Sequence, residues 1–396
     1  MEPFISAFIW DVNRHAFTVP FLNLSIYWYG ILFATGFFFG YLLTIYSYRR
    51  YLGARKQFYV HEIDFKQLTK NWSTLTFLHS LPSSLIKSIK EDCLSQNQKE
   101  SICEYLSYLT LADVMLENRP LKLLKKEKRI AKFLERKRGC SENYLKRTYI
   151  ETNFGKVFKP QDDRARKFVD RLTFYIVMGT VVGARLGHVL FYENAYYYLT
   201  HPLSIINTRE GGLASHGGVV GIFLSLVLFC KSYKKLGELI SWRFVIDMII
   251  VPTAVAAVFI RLGNFVNQEI IGIPTSASWG IIFPRNYEGL SAVARHPAQL
   301  YEAFAYAITF FLLLGHFRAH FFRLKLGEMT GIFFILVFGA RFAIEFIKES
   351  QLHLAQSHLE TYLSMGQWLS IPFILFGVFL LLWARKSQDM VPKEAF

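Results

Sequence analysis

Seven stretches of this 396-residue chain are apolar for long enough to cross a bilayer as helices, and nothing else in the sequence constrains the fold as tightly. They run over 25–46, 172–192, 213–230, 244–260, 299–317, 329–347 and 367–384. Each matches the span of about 17–25 residues that a helix needs to cross the hydrocarbon. Inside lipid the backbone N–H and C=O groups find no water, and a helix satisfies them within one segment. The expected fold is an all-α polytopic membrane protein with seven transmembrane helices. Composition agrees: apolar residues make up 52% and charged residues 19%, against about a quarter charged in soluble proteins.

The loops set the orientation, because Lys and Arg collect on the cytoplasmic side. The links after the first, third and fifth segments (47–170, 231–243 and 318–328) are basic, and those after the second, fourth and sixth are nearly neutral. This alternation places the N-terminus in the periplasm and the C-terminus in the cytoplasm. The opening MEPFISAFIW lacks the basic start and cleavage site of a signal peptide, so the first span is expected to be retained.

The net charge is +15, and residues 47–170 carry 26 Lys/Arg against 15 Asp/Glu. The expected partition is therefore 1–48, the periplasmic N-terminus and first helix; 49–168, a basic cytoplasmic insertion; 169–387, helices two to seven; and 388–396, a cytoplasmic tail. The insertion reads as a solvated segment with a few amphipathic helices, such as LKLLKKEKRIAKFLERKRG at 121–139. Contact with anionic headgroups is a second reading. Nucleic acid is not an expected partner, because no recognised binding motif accompanies the charge. Cys93, Cys103, Cys140 and Cys230 show neither CxxC pairing nor metal spacing and read as free thiols. No metal or cofactor is expected.

Charges in or beside a span are costly and mark a polar interior. Here they are Arg185, His188, His216, Asp247, Arg261, Glu302, Arg341 and Glu345. His216 lies in GGLASHGG (211–218), where glycines allow close backbone approach. It suits general-base work, or it is a packing histidine. Arg261, Asn264 and Asn267 recur at i, i+3 and i+6 in RLGNFVNQEIIG, so they share one helix face. An arginine there can grip phosphate through its planar fork. A buried Glu302, in RHPAQLYE, needs a cation, with Arg261 and Arg341 as candidates. Arg341 and Glu345 in GARFAIEF stand at i, i+4, either as a mutual ion pair or with Glu345 orienting Arg341 toward an anion. Tyr27, Trp28 and Tyr29 fit an interfacial belt, or one tyrosine reaches a headgroup. Gly179, Gly183 and Gly187 line one helix face for tight packing.

The runs IYWYGILFATGF, GARLGHVLFYE, GGLASHGG, RLGNFVNQEIIG, RHPAQLYE, GARFAIEF and MGQWLSIP occur in one order that resembles bacterial prolipoprotein diacylglyceryl transferases. The resemblance covers roughly 1–48 and 169–387. It implies that His216, Arg261 and Arg341 are catalytic. It also implies that Tyr29, Arg185, Asn264, Glu269, Gly272, Glu302 and Glu345 bind substrate. The family usually reads Asn-Gly-Glu where this chain has Asn267-Gln268-Glu269, often has Arg in place of Lys348, and has an aromatic in place of Ser215. It has only a short link where this chain carries 49–168.

The implied reaction moves the diacylglyceryl group of phosphatidylglycerol onto the lipobox cysteine of a prolipoprotein signal peptide, in the bacterial inner membrane. The implied partners are those two substrates and membrane lipids. A thiol of pKa about 8.5 needs a base or a positive field to ionise, and His216 or the arginines can serve. Without the resemblance, the residues themselves leave open a transporter or channel for an anionic solute, a membrane scaffold and another phospholipid enzyme.

Overall fold

The computed structural model describes residues 8–22, 24–54, 62–110, 113–114, 142–191, 198, 200–205, 212, 214–234, 240–286, 288–349, 363–387 and 390. Among these, seven helices are long and apolar enough to cross a membrane, and each coincides with an apolar segment of the sequence. The protein is a mostly helical, multi-pass membrane protein. In chain order the elements are β1 (Phe8–Ile9), β2 (His15–Val19), β3 (Leu24–Tyr27), α1 (Trp28–Ala54), α2 (Phe65–Lys70), α3 (Ser83–Lys90), α4 (Gln96–Tyr108), α5 (Glu142–Asn153), α6 (Gln161–Phe191), α7 (Ser215–Lys234), α8 (Trp242–Asn267), β4 (Ile281–Ile282), β5 (Ala294–Arg295), α9 (Ala298–His320), α10 (Glu328–Ile344) and α11 (Met365–Ala384). The spans are α1 and α6 to α11.

The expectation of an all-α chain needs correcting outside the spans, before the first of them and between α8 and α9. A small sheet of order β1-β4-β5 and a β2-β3 hairpin are present. Residues 24–27 pair as strand rather than opening the first helix. Strands of two to five residues carry little periodic signal to be read from sequence.

The chain divides into two compact units, with boundaries at Thr44/Ile45, Trp242/Arg243 and Met390/Val391. The first comprises residues 1–44 and 243–390. Here α10 packs on α11 through Gly331 and Gly377, where a Cβ on either would crowd the backbone of the other. Asp247, one of the intramembrane charges, fixes the start of α10. Its carboxylate accepts from the Gly327 and Thr330 N–H groups at 2.6 and 3.0 Å and from the Thr330 hydroxyl. An anion at a helix N-terminus satisfies orphan donors and complements the helix dipole. The α11 start is a capping box in which Ser364 and Gln367 bond reciprocally.

The second unit comprises 45–242 and 391–396. In it α6 and α7 meet along glycines as the spacing predicts: Cβ atoms on Gly179, Gly183 or Gly187 would overlap Gly217, Gly221 or Ser225. In the described part of the insertion, the short helices pack around a core of their own. Ile63, Leu68, Leu78, Ile89, Ile102, Leu106, Ile150 and Phe158 belong to one buried core. Its two ends are stitched together, by Asp64 N–H to Val157 O at 2.7 Å and Lys159 N–H to Glu62 O at 3.0 Å. Buried Glu62 pairs with Arg147 (3.3 Å) and Arg164 (3.5 Å), and Arg164 with Glu151 (2.7 Å). Lys146 donates to the Leu106, Ser107 and Leu109 carbonyls at the end of α4. Burial pushes the Cys103 thiol up to about 12. The basic run 121–139 and Cys140 lie outside the described residues.

Candidate active site

The site grows from the last turns of α8. Arg261 and Asn264 are one turn apart, and the guanidinium Nη1 donates to Asn264 Oδ1 at 3.1 Å. Asn264 Nδ2 then donates to Glu269 Oε1 at 3.0 Å, and Asn267 Nδ2 reaches the same oxygen at 3.2 Å. Glu269 can face back toward α8 because the chain reverses just beyond Asn267. Gln268 and Ile270 take φ of 55° and 59°, left-handed values that non-glycine residues seldom adopt. Gly272 follows, where a Cβ would collide with His296 and Ile347. Its N–H donates to His296 O at 2.9 Å.

A second line of charge starts from the same arginine. Arg261 Nε lies 3.0 Å from Glu302 Oε2, and Glu302 is completely buried near the start of α9. Lys348 Nζ sits 2.9 Å from Glu302 Oε1 and 3.0 Å from Glu345 Oε2. Arg261, Glu302, Lys348 and Glu345 thus alternate in sign, which is how charge survives burial. The Glu345 carboxylate rests against Gly366 at the start of α11, where no Cβ would fit. Of the two cations expected for Glu302, Arg261 is the one bonded. Glu345 pairs with Lys348 rather than Arg341, although its N–H still bonds the Arg341 carbonyl one turn back.

Arg341 is half-buried, and no carboxylate among the described residues pairs with it. It lies near the chain of charges nonetheless, since Tyr306 feels Glu302, Arg261 and Arg341 together. The Arg261 guanidinium also stands 5.9 Å from the Tyr306 ring centre.

Tyr29, in the first turn of α1, packs its ring on Gly263 between Arg261 and Asn264 in the α8 sequence. It lines a cleft of about 800 Å³ with Arg14, residues 25–27, Gly30, Ile31, Ala34, Asn267 and Glu269. Glu269, the end of the charge chain, forms part of the polar wall of that cleft with Asn267 and Arg14. Of the ten site residues that the resemblance implies, eight fall in the first unit: Tyr29, Arg261, Asn264, Glu269, Gly272, Glu302, Arg341 and Glu345.

His216 and Arg185 fall in the second unit. His216 is exposed in the first turn of α7, its ring 5.9 Å from that of Phe191. Arg185 is buried and occupied by backbone. It donates to the carbonyls of Ile205 (2.8 Å), Gly212 (3.0 Å) and Ser204 (2.7 Å), and it lies over the Tyr198 ring. These bonds make it a clasp for the segment that leads to His216. Residues 206–211 and Leu213 lie outside the described set.

Sequence reasoning passed over Arg14, Tyr306 and Gln299 as contributors. Gln299 donates to Glu269 O at 2.8 Å. It stands in a run already singled out, whereas Arg14 and Tyr306 carry no local pattern that links them to the cleft.

Seven apolar helices long enough to cross a bilayer, with buried charges that alternate in sign and a polar cleft in the first unit, define a multi-pass membrane protein that carries a polar site among its spans. The family model for prolipoprotein diacylglyceryl transferase matches residues 148–383. A phosphatidylglycerol–prolipoprotein diacylglyceryl transferase of Protochlamydia amoebophila is 36% identical over 386 residues, covering 98% of this chain and 97% of that protein. The enzyme of the same name from Tolumonas auensis is 45% identical over 228 residues, 58% of this chain and 83% of that protein. The one from Chloroherpeton thalassium is 42% identical over 233 residues, 59% and 80%. The chain belongs to the prolipoprotein diacylglyceryl transferases, and the transporter and scaffold readings fall away. The Protochlamydia match leaves out at most a few per cent of either chain, so it takes in most of the insertion.

Proposed function

We propose that this enzyme binds phosphatidylglycerol with its phosphate between Arg261 and Arg341, and that His216 takes the proton of the acceptor cysteine. The thiolate sulfur then attacks the diacylglyceryl carbon. A C–S bond forms, the C–O bond to phosphate breaks, and its electron pair leaves on glycerol phosphate. Cationic donors held in place before the reaction are worth most where charge develops on the departing oxygen. The observation that carries the reading is Arg341, a half-buried guanidinium in a span with no carboxylate partner among the described residues. A cation so placed is costly unless an anion meets it. Arg261 is the second cation, its fork oriented by Glu302 and Asn264. Glu269 and Tyr29 shape the cleft for headgroup and acceptor.

The Lys/Arg bias supports a periplasmic N-terminus, a cytoplasmic C-terminus and a cytoplasmic insertion. The bacterial relatives make the inner membrane the natural residence. The test is a mass-shift assay of purified protein with phosphatidylglycerol and a lipobox peptide. A diacylglyceryl adduct on a cysteine peptide, absent from its serine counterpart and lost in Arg261→Ala and Arg341→Ala, supports the assignment. An adduct formed at normal rate by either arginine variant removes that arginine from the phosphate site.

A further inference from the structure

We infer that Gln268 is a positioning residue for the transfer reaction, locking the turn that carries Glu269 and thereby aligning Asn264 and Arg261. The inference rests on the phosphate-binding role proposed for Arg261. Two of the three non-glycine residues with positive φ among the described residues, Gln268 and Ile270, flank Glu269. Backbone held this way persists only where surrounding bonds over-determine it.

Ile270 N–H donates to Glu288 Oε1 at 2.7 Å on one side of the turn, and the Gln268 side chain supplies the bonds that reach farthest. It is completely buried. Its Nε2 donates to Trp10 O at 2.9 Å, and its Oε1 accepts from Arg285 N–H at 2.8 Å. Those partners stand 258 and 17 residues away, so one amide ties the turn to two distant segments. Both segments are anchored in their own right. Arg285 pairs with Asp11 at 2.7 Å, and the Trp10 ring lies 4.5 Å from that of Phe265. With both ends of the amide used, the turn has little freedom to shift.

Everything downstream of the turn passes through Glu269. Its N–H donates to Asn264 O at 3.0 Å, its carbonyl accepts from Gln299, and its carboxylate holds the amides of Asn264 and Asn267. Asn264 in turn accepts from the Arg261 guanidinium. A turn released from Gln268 moves the carboxylate, frees the Asn264 amide and lets the guanidinium swing. A displacement of about 1 Å at such a distance from the chemistry can cost as much as a hundredfold in rate. Glycine at 268 would adopt the left-handed φ without strain. It would also leave Trp10 O and Arg285 N–H without their amide. Gln268 therefore acts through its side chain, and relief of backbone strain does not replace it.

The experiment is a double-mutant cycle on the purified full-length enzyme with phosphatidylglycerol and a lipobox peptide. It compares Gln268→Ala, Gln268→Gly, Glu269→Gln and the Ala/Gln double variant, with thermal unfolding in detergent as the folding control. Gln268→Ala and Gln268→Gly are expected to lower kcat about tenfold with peptide KM within about twofold. The double variant is expected to match Glu269→Gln alone within about twofold, because the two residues act in series. Gln268 variants within twofold of wild-type kcat, or a double variant that loses the product of the two single effects, would overturn the inference. If Gln268→Ala is not recovered folded, Gln268→Asn and Gln268→Glu carry the same cycle. Arg261→Ala runs alongside. Loss of transfer there with Gln268→Ala intact sinks the positioning role alone. Retained transfer in Arg261→Ala sinks the phosphate reading and this inference together.

Discussion

Each unit of the molecule buries a glutamate gripped by two cations. In the first unit Glu302 holds Arg261 and Lys348, and in the second Glu62 holds Arg147 and Arg164. Burial is equally complete, with exposures of 0% and 1%. The two differ in where the charges lead. The Glu62 cluster runs on to Glu151, to the Leu52 carbonyl through Arg147, and thus back into the fold. The Glu302 cluster runs through Asn264 and Glu269 to the wall of a cleft, with Arg341 nearby and no carboxylate among the described residues paired to it. Buried charge alone marks neither a site nor a strut. An unclosed chain of charge beside open space marks the site.

The sharpest way to break this comparison is Arg341→Ala. If the open end of the cluster is the phosphate site, transfer falls by about a thousandfold or more, comparable to loss of one preorganised donor in an anion hole. Product mass after a fixed time measures it, with unfolding temperature expected to stay near wild type because Arg341 holds no carboxylate. The closed cluster predicts the reverse. Glu62→Ala leaves two buried arginines under-compensated and should cost about 3–5 kcal/mol of stability. Transfer per folded molecule should stay within about twofold of wild type. A folded Glu62→Ala protein without activity would mean that the insertion's cluster belongs to the chemistry after all.

His216 tests whether the chemistry is confined to the unit of the open cluster. As general base its loss in His216→Gln should lower kcat by about a hundredfold, within the usual range for acid–base catalysis. Near-normal turnover would hand thiol activation to the arginine field. The smallest effect concerns Cys103. Its folded pKa is raised to about 12 from an ordinary 9, so the folded state favours the neutral thiol. The contribution is therefore intact below about pH 9 and is lost as pH rises from 9 toward 12. Between pH 9 and 10 wild type should lose about 1 kcal/mol more stability than Cys103→Ala, read from denaturant midpoints. Equal losses in the two proteins would show that the thiol ionises freely in the folded insertion.

What was legible in the sequence follows range. The spans are long and periodic in nothing but apolarity, so they stand out. Arg261 and Asn264 bond as their spacing implies, and the charge on Glu302 required a cation that Arg261 supplies. The glycine seam between α6 and α7 was likewise local. Illegible features depend on residues far apart in the chain. Lys348 reaches Glu302 across 46 positions, and nothing near either residue announces it. Arg185 reads as an intramembrane cation, yet its donors serve carbonyls 19 to 27 residues on. The insertion's core was not read from sequence because its closure needs residues 62 and 164 together.

That closure has a consequence for the order of events during synthesis. Glu62 leaves the ribosome about 100 residues before Arg164, a delay of roughly 5–20 s at about 5–20 residues per second. Throughout that interval the first span waits in the bilayer while a glutamate destined for burial remains hydrated and without its second cation. Arg164 lies three residues into α6, which continues as the next membrane span. The residue that completes the insertion is thus translated just ahead of the segment that must engage the translocation machinery. Folding of the insertion and entry of the second span share one clock, and a pause in translation near residue 164 would hold both.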